Sequence, residues 1–203
     1  MGSEMCIRDS YRTTLRDLFV RITDPIIRLL ILIGIKPWMV TIIGMFMVIP
    51  AAFLIATERL IAGGVLFLFA SGLDLFDGTI ARKTNSASKR VALLDSTADR
   101  ISESILLGGV FLYGLSVEND QILIFSFVAV IGSILVSYIR ARAEGLGIKM
   151  DEGWFTRPER VVLMGLSCIF NLVLMGVILL SILTIATALQ RWRLADSKLE
   201  IGE

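Results

Sequence analysis

Between residues 72 and 103 the chain reads GLDLFDGTIARKTNSASKRVALLDSTADRISE, with aspartates at 74, 77, 95 and 99. On a helix advancing about 100° per residue, Asp74, Asp77, Gly78, Ala81 and Arg82 share one face. Eight residues, Lys83 to Arg90, then turn the chain back, and Asp95 and Asp99, four apart, share a face of the returning helix. Four carboxylates on two antiparallel helices can converge, and left alone they would repel one another. Divalent cations resolve that conflict, and an all-oxygen donor set points to Mg²⁺, Mn²⁺ or Ca²⁺. Two such ions about 4 Å apart suit displacement at phosphorus, because they hold both the attacking and the leaving oxygens. The rest of the stripe suits a phosphate ligand. Gly78 and Ala81 let a ligand approach the backbone, Arg82 offers a bidentate partner, and Thr84, Ser86 and Ser88 add loop donors.

The flanks of this cluster are apolar. Of the 203 residues, 55% are hydrophobic, and the mean hydropathy is +0.77, which indicates an integral membrane protein. An ionisable group at a bilayer centre costs at least about 2.5–3.5 kcal/mol, so the cluster needs a function to retain it. The chain has no histidine, which excludes a Ser/His/Asp triad, a Cys/His pair and a histidine metal site. Cys6 and Cys168 cannot make a zinc site, and Cys168 sits in an apolar run where a thiol packs. The net charge of +1 carries no nucleic-acid signal, since the charges are sorted along the chain.

The first ten residues, MGSEMCIRDS, back-translate to a transposase sequencing adapter with gtg read as the start codon, and they are expected to be an artefact that includes Cys6. Over 11–35, Leu15, Leu18, Phe19, Ile22 and Ile26 recur at three and four while arginines take other positions, as in an amphipathic helix on a membrane surface. An all-α domain over 36–193 follows, with six spans expected at 37–56, 60–82, 91–114, 122–138, 158–170 and 172–189. Asn171 would turn the chain between the last two. The connections carrying Lys83, Lys89 and Arg90, then Arg140, Arg142, Lys149, Arg157 and Arg160, are basic, which places them on the cytoplasmic side of the cell membrane. Arg191, Arg193 and Lys198 return the tail, 194–203, to that side. Both termini are therefore expected to be cytoplasmic.

The spacing of Asp74, Asp77, Gly78, Ala81, Arg82, Asp95 and Asp99 resembles the signature of the CDP-alcohol phosphatidyltransferases, DxxDGxxAR followed by two further aspartates. The resemblance implies transfer of a phosphatidyl group from CDP-diacylglycerol or an archaeal CDP-lipid to an alcohol, with release of CMP. It implies metal ligation by Asp74, Asp77, Asp95 and Asp99, two Mg²⁺ or Mn²⁺ ions, and Asp99 as the base for the acceptor hydroxyl. It also implies donor contacts from Gly78, Ala81, Arg82 and Ser88, and a homodimer. GIKPWMVT is similar to a family segment that cradles the nucleotide, so Pro37 and Thr41 join the donor site. Two positions depart from the pattern: Val91 stands where the family has glycine, and Trp38 replaces an asparagine.

Acceptor choice must come from basic residues away from the aspartates. Arg140, Arg160 and Arg191 match positions that form a phosphate pocket in the subgroup using inositol phosphate, where an acidic residue also stands at the Glu103 position. Three cations around one cavity favour a phosphorylated acceptor over serine or choline. Topology anchoring is the plain alternative for each arginine. Glycerol 3-phosphate, as in phosphatidylglycerophosphate synthases, remains the second acceptor. A cation-binding transporter is the reading from another class, disfavoured because its site would lie near the bilayer midplane.

Overall fold

The computed structural model describes residues 32–34, 36–83, 88–150 and 152–202, with 74–83 and 201–202 as helix backbone only. The expected adapter residues, and all of the interfacial helix except residues 32–34, lie outside the described residues. Within them the chain is helical: α1 (Pro37–Ala56), α2 (Leu60–Lys83), α3 (Lys89–Ser116), α4 (Asp120–Gly145), α5 (Arg157–Ile169) and α6 (Val173–Gly202). All six helices start within two residues of the expected spans, and α1, α2, α3 and α5 also end within two. α1 begins with Pro37 at its first turn, where a missing N–H costs nothing. α3 is capped by Ser88, whose Oγ accepts from the Val91 N–H at 3.2 Å, and α4 by Asn119, whose side chain accepts from the N–H groups of Gln121 and Ile122.

α4 and α6 outrun the expected spans at their C-terminal ends, which were set at 138 and 189 where arginines interrupt the apolar run. Those arginines end the lipid-facing stretch and not the helix. α4 continues to Gly145, and α6 to Gly202, where Ala195 packs with Ala143 and Met150 in a small apolar cluster away from the main core.

Among the described residues, the close helix pairings are α1 with α2 and α3, α2 with α5, α5 with α6, α6 with α4, and α4 with α3. Together these close a ring in the order α1, α2, α5, α6, α4, α3. One apolar core fills it, drawn from all six helices and including Val48 and Ile55, Phe67, Leu106 and Val110, Ala129, Met164, and Val177 and Leu180. Large apolar side chains such as Phe53, Phe69, Phe127 and Phe170 point outward and are exposed. Apolar surface both inside and outside is the pattern of helices surrounded by lipid. α1, α4 and α6 are each long and apolar enough to cross a membrane, and α2 is apolar over Leu60–Leu73, the part of it whose side chains are described. α5, at 13 residues, is about 20 Å long against a hydrocarbon core of about 30 Å.

Lipid offers little hydrophobic drive for one helix to join another, so close approach of small residues carries the packing. At Gly109 on α3, an added Cβ would lie 2.5 Å from the Ala52 carbonyl oxygen of α1 and 2.8 Å from its Cα. Between α4 and α6, Ser181 Oγ lies 2.7 Å from the Phe125 carbonyl oxygen, and such interhelical bonds are worth about 0.6 kcal/mol on average.

The connections divide by end. α1–α2, α3–α4 and α5–α6 are joined by tight turns, with Glu58, Glu118 and Asn171 in the left-handed region at φ 65°, 51° and 56°. In each turn the next residue's N–H reaches back to a carbonyl of the preceding helix: Arg59 to Leu54, Asn119 to Gly114 and Leu172 to Ser167. Asn171 turns the chain where expected. Glu58 Oε1 also accepts from Ser116 Oγ at 2.6 Å, tying the first turn to the end of α3. At the other end, residues 84–88 and 146–156 connect α2 to α3 and α4 to α5. Gly109→Val is expected to lower stability by about 2 kcal/mol through overpacking against Ala52, measured as a lower thermal unfolding temperature in detergent.

Candidate functional site

At the end of the ring away from the tight turns lies a cavity of about 640 Å³. α3 contributes Asp95, Ser96, Asp99 and Arg100; α4 contributes Val136, Ser137, Arg140 and Glu144; the start of α5 contributes Thr156, Arg157 and Arg160; and α6 contributes Arg191. The structure thus brings two of the four predicted metal ligands and all three predicted acceptor arginines to one wall. Asp74, Asp77, Gly78, Ala81 and Arg82 lie on the helical backbone of α2, and their side chains are outside the described residues, as are Thr84 and Ser86.

Ser88 and Thr41 have local duties. Ser88 caps α3, and Thr41 Oγ1 donates to the Pro37 carbonyl at 3.3 Å with both residues buried in the first turn of α1. Pro37 and Thr41 are not among the described residues that line the cavity. Trp38, on the same turn, is exposed, as an interfacial anchor would be. Val91 is half-buried in the first turn of α3, where its N–H takes the Ser88 cap.

Each charged group on the wall is held. Arg157 Nη1 lies 2.8 Å from Asp99 Oδ1, and Arg100 Nη1 lies 3.4 Å from Asp99 Oδ2 while also donating to the Ser96 carbonyl at 2.7 Å. Arg160 donates from Nε and Nη2 to the two oxygens of Glu103 at 2.7 and 3.0 Å. It is 4% exposed and Glu103 14%. Arg191, also 4% exposed, donates from Nε to the Glu152 carbonyl at 2.9 Å and from Nη1 to the Val136 carbonyl at 2.8 Å. Arg140 is the most exposed of the three predicted acceptor arginines and pairs with Glu144 one turn on, at 2.9 Å. Three guanidinium groups facing one space suit a polyanion, and the protein's own acceptors fix two of them beforehand.

The α4–α5 segment is drawn against α6 by several contacts. Besides Arg191, Gln190 Oε1 accepts from the Trp154 N–H at 3.1 Å. Lys198 Nζ bonds the Lys149 carbonyl at 3.1 Å and the Glu152 carboxylate at 2.7 Å. Gly153 lies against the Arg191 guanidinium, where an added Cβ would come within 2.7 Å of Nη2. These contacts set where α5 begins, and hence where Arg157 and Arg160 stand.

Sequence reasoning gave Arg100 no place in the site, named Arg157 only as a basic residue beside Arg160, and marked Glu103 only through the subgroup resemblance. For Glu103 and Arg157 the signal was present as register. Glu103 continues the four-residue spacing of Asp95 and Asp99, and Arg157 precedes Arg160 by three, so each falls on a face that already carries a candidate site residue. The donor set also fits a hard divalent cation: Asp95 and Asp99 are one turn apart on the cavity wall, every available donor is oxygen, and the chain contains no histidine. No cluster of three or more ligand side chains forms among the described residues.

Residues 35–192 match the family model described as CDP-alcohol phosphatidyltransferase. The archaetidylinositol phosphate synthase of Pyrococcus horikoshii is 37% identical over 171 residues, covering 84% of this chain and 88% of that protein. Among solved structures, the phosphatidylinositol phosphate synthase of Mycobacterium tuberculosis with CDP-DAG bound superposes with a TM-score of 0.80 at 30% identity, covering 86% of this chain and 94% of that one. A second crystal structure of that synthase, in complex with manganese and citrate, gives a TM-score of 0.77 at 30% identity over 85% of this chain and 88% of that one.

Arg191→Ala is expected to free the 146–156 segment, because the Glu152 carbonyl loses a charged donor worth about 1.5–3 kcal/mol and with it the tie through Arg191 to α4. Limited proteolysis should then cut within 146–156 faster than in the unsubstituted protein, while α1 to α3 stay equally protected.

Proposed function

Because this chain belongs to the CDP-alcohol phosphatidyltransferase family, we propose that its cavity transfers a phosphatidyl group from a CDP-linked lipid to a hydroxyl of inositol phosphate, releasing CMP. The observation that carries this reading is the convergence of Arg140, Arg160 and Arg191 on the wall that also holds Asp95 and Asp99. Neither serine, a zwitterion, nor choline, a cation, brings three converging guanidinium groups the net negative charge that a phosphorylated acceptor does. The relative named archaetidylinositol phosphate synthase and the neighbour named phosphatidylinositol phosphate synthase support the same acceptor over glycerol 3-phosphate.

In this reading Asp74 and Asp77 on α2 and Asp95 and Asp99 on α3 hold two Mg²⁺ or Mn²⁺ ions, whose bound charge offsets that of the donor diphosphate. Gly78, Ala81, Arg82 and Ser88, with Pro37 and Thr41 on α1, seat the cytidine end of the donor. Arg140, Arg160 and Arg191 take the acceptor phosphate and orient the sugar ring so that its hydroxyl faces the phosphatidyl phosphorus. The new bond forms from that hydroxyl oxygen to phosphorus, the bond from phosphorus to the bridging oxygen of CMP breaks, and CMP leaves with the electron pair. Asp99 takes the hydroxyl proton, with Arg157 at 2.8 Å orienting its carboxylate. Much of the rate then comes from positioning and fixed charge.

The membrane placement follows from the same charges. Six helices cross as one domain over 36–193, the stretch 11–35 lies along the surface, and the cavity and both termini, with the tail 194–203, face the cytoplasm. The donor's acyl chains stay in lipid while its diphosphate enters the cavity from the headgroup side, so neither substrate leaves its preferred solvent. Two copies of the chain form the working unit.

The test is CMP release by purified protein with CDP-diacylglycerol, Mn²⁺ and a panel of acceptors. Release with inositol phosphate and not with serine is expected; release with glycerol 3-phosphate alone would overturn the acceptor assignment, and no release with any acceptor would overturn the activity. Asp99→Asn should lower turnover by about 10²–10⁴-fold, the range for loss of a positioned base, while Mn²⁺-dependent CMP binding measured by calorimetry persists. Lost binding would make Asp99 chiefly a ligand. Arg160→Ala should raise the acceptor KM more than the donor KM, and an equal rise in both would remove it from the acceptor site.

A further inference from the structure

Asp95, Asp99 and Glu103 follow one another at four-residue intervals on α3, and Arg157 and Arg160 stand three apart at the start of α5. The two rows meet in rungs, Arg157 with Asp99 at 2.8 Å and Arg160 with Glu103 through two bonds of 2.7 and 3.0 Å. α3 and α5 are not neighbours in the ring order, so the rungs cross its interior. The second rung is the more enclosed, and a guanidinium that is 4% exposed has little freedom beyond what its partners allow. Glu103 takes the Nε and Nη2 edge, and because the guanidinium is planar this fixes the direction of the remaining nitrogen, Nη1. Glu103 also offsets like charge, since Arg140, Arg160 and Arg191 face one cavity and a buried cation without an acid nearby is costly.

We propose that Glu103 is a positioning residue for the acceptor: by gripping one edge of Arg160 it presents Nη1 to the acceptor phosphate, and it fixes that phosphate about one helical turn from Asp99. The proposal rests on the phosphorylated-acceptor reading above. Glu103 itself touches neither substrate. If it were only a link between two helices, its removal would lower stability and raise the acceptor and donor KM values alike. If it were a competitor for Arg160, its removal would tighten acceptor binding.

These roles separate in steady-state kinetics of the full chain in detergent, with CDP-diacylglycerol, Mn²⁺ and inositol phosphate. Glu103→Gln keeps the side-chain size but breaks the paired grip, and is expected to raise the acceptor KM about tenfold or more. The KM for CDP-diacylglycerol and Mn²⁺-dependent CMP binding should stay within about twofold. Glu103→Asp, one methylene shorter, should recover part of the acceptor KM, and it carries the test by the same criteria if the glutamine variant fails to fold. An unchanged or lowered acceptor KM in Glu103→Gln, or a parallel rise in the acceptor and donor KM values, would each overturn the proposal. Should the unsubstituted protein use glycerol 3-phosphate and not inositol phosphate, the acceptor assignment falls while the role of Glu103 is read with that phosphate. If neither phosphate supports turnover, both fall.

Discussion

Charge in an apolar helix bundle has to be answered by charge, and in this protein the answer runs across the middle of a ring. Asp99 and Glu103 project from α3 toward Arg157 and Arg160 at the start of α5, and the four side chains bridge a space that no close packing of those two helices closes. The space that remains is the cavity. Were the ring filled at this end as it is around Val110 and Met164, no polar ligand could enter. Were the charges unmatched, their burial would cost several kcal/mol apiece. The site is therefore a compromise between an open interior and paired ions, and its dimensions follow from the lengths of the side chains that span it.

The same constraint sorts the helices. Among the described residues, α1, α4 and α6 are long and apolar enough to cross a membrane and α2 is apolar over Leu60–Leu73, while charged residues gather at the cavity end of α2, α3 and α5. α2 carries the DxxDGxxAR face, α3 the acidic column and α5 the two cavity arginines. Polar or interrupted helices are tolerated at membrane depth where they border protein or a cavity rather than hydrocarbon.

Helix positions were largely legible in the sequence because apolar runs and turn residues mark them, and Pro37, Asn119 and Asn171 stand at boundaries. The ends of α4 and α6 were not, since hydropathy senses lipid contact and not helix continuation: Arg140 and Arg191 leave the membrane-facing stretch while the backbone hydrogen bonding goes on. In the site, spacing brought out Asp95 and Asp99, and resemblance to the inositol-phosphate subgroup brought out Arg140, Arg160 and Arg191, as residues of one cavity wall. Neither could reveal what each arginine holds. The partners of Arg191 are the carbonyls of Val136 and Glu152, and a carbonyl leaves no trace in residue type. Glu103 is a different case, since its register with Asp99 was visible but the helix opposite it was not.

The three tight turns sit together at the far end of the ring, each with a non-glycine residue held in the left-handed region and each fastened to the helix before it. Joined in this way, the helices behave as three hairpins whose closed tips leave little room for sequence length to vary. The open mouths of those hairpins carry the longer connections. Insertions and exchanges of sequence that alter which headgroup is made can therefore accumulate beside the cavity without disturbing the hinge-like tips that keep the barrel of helices in register.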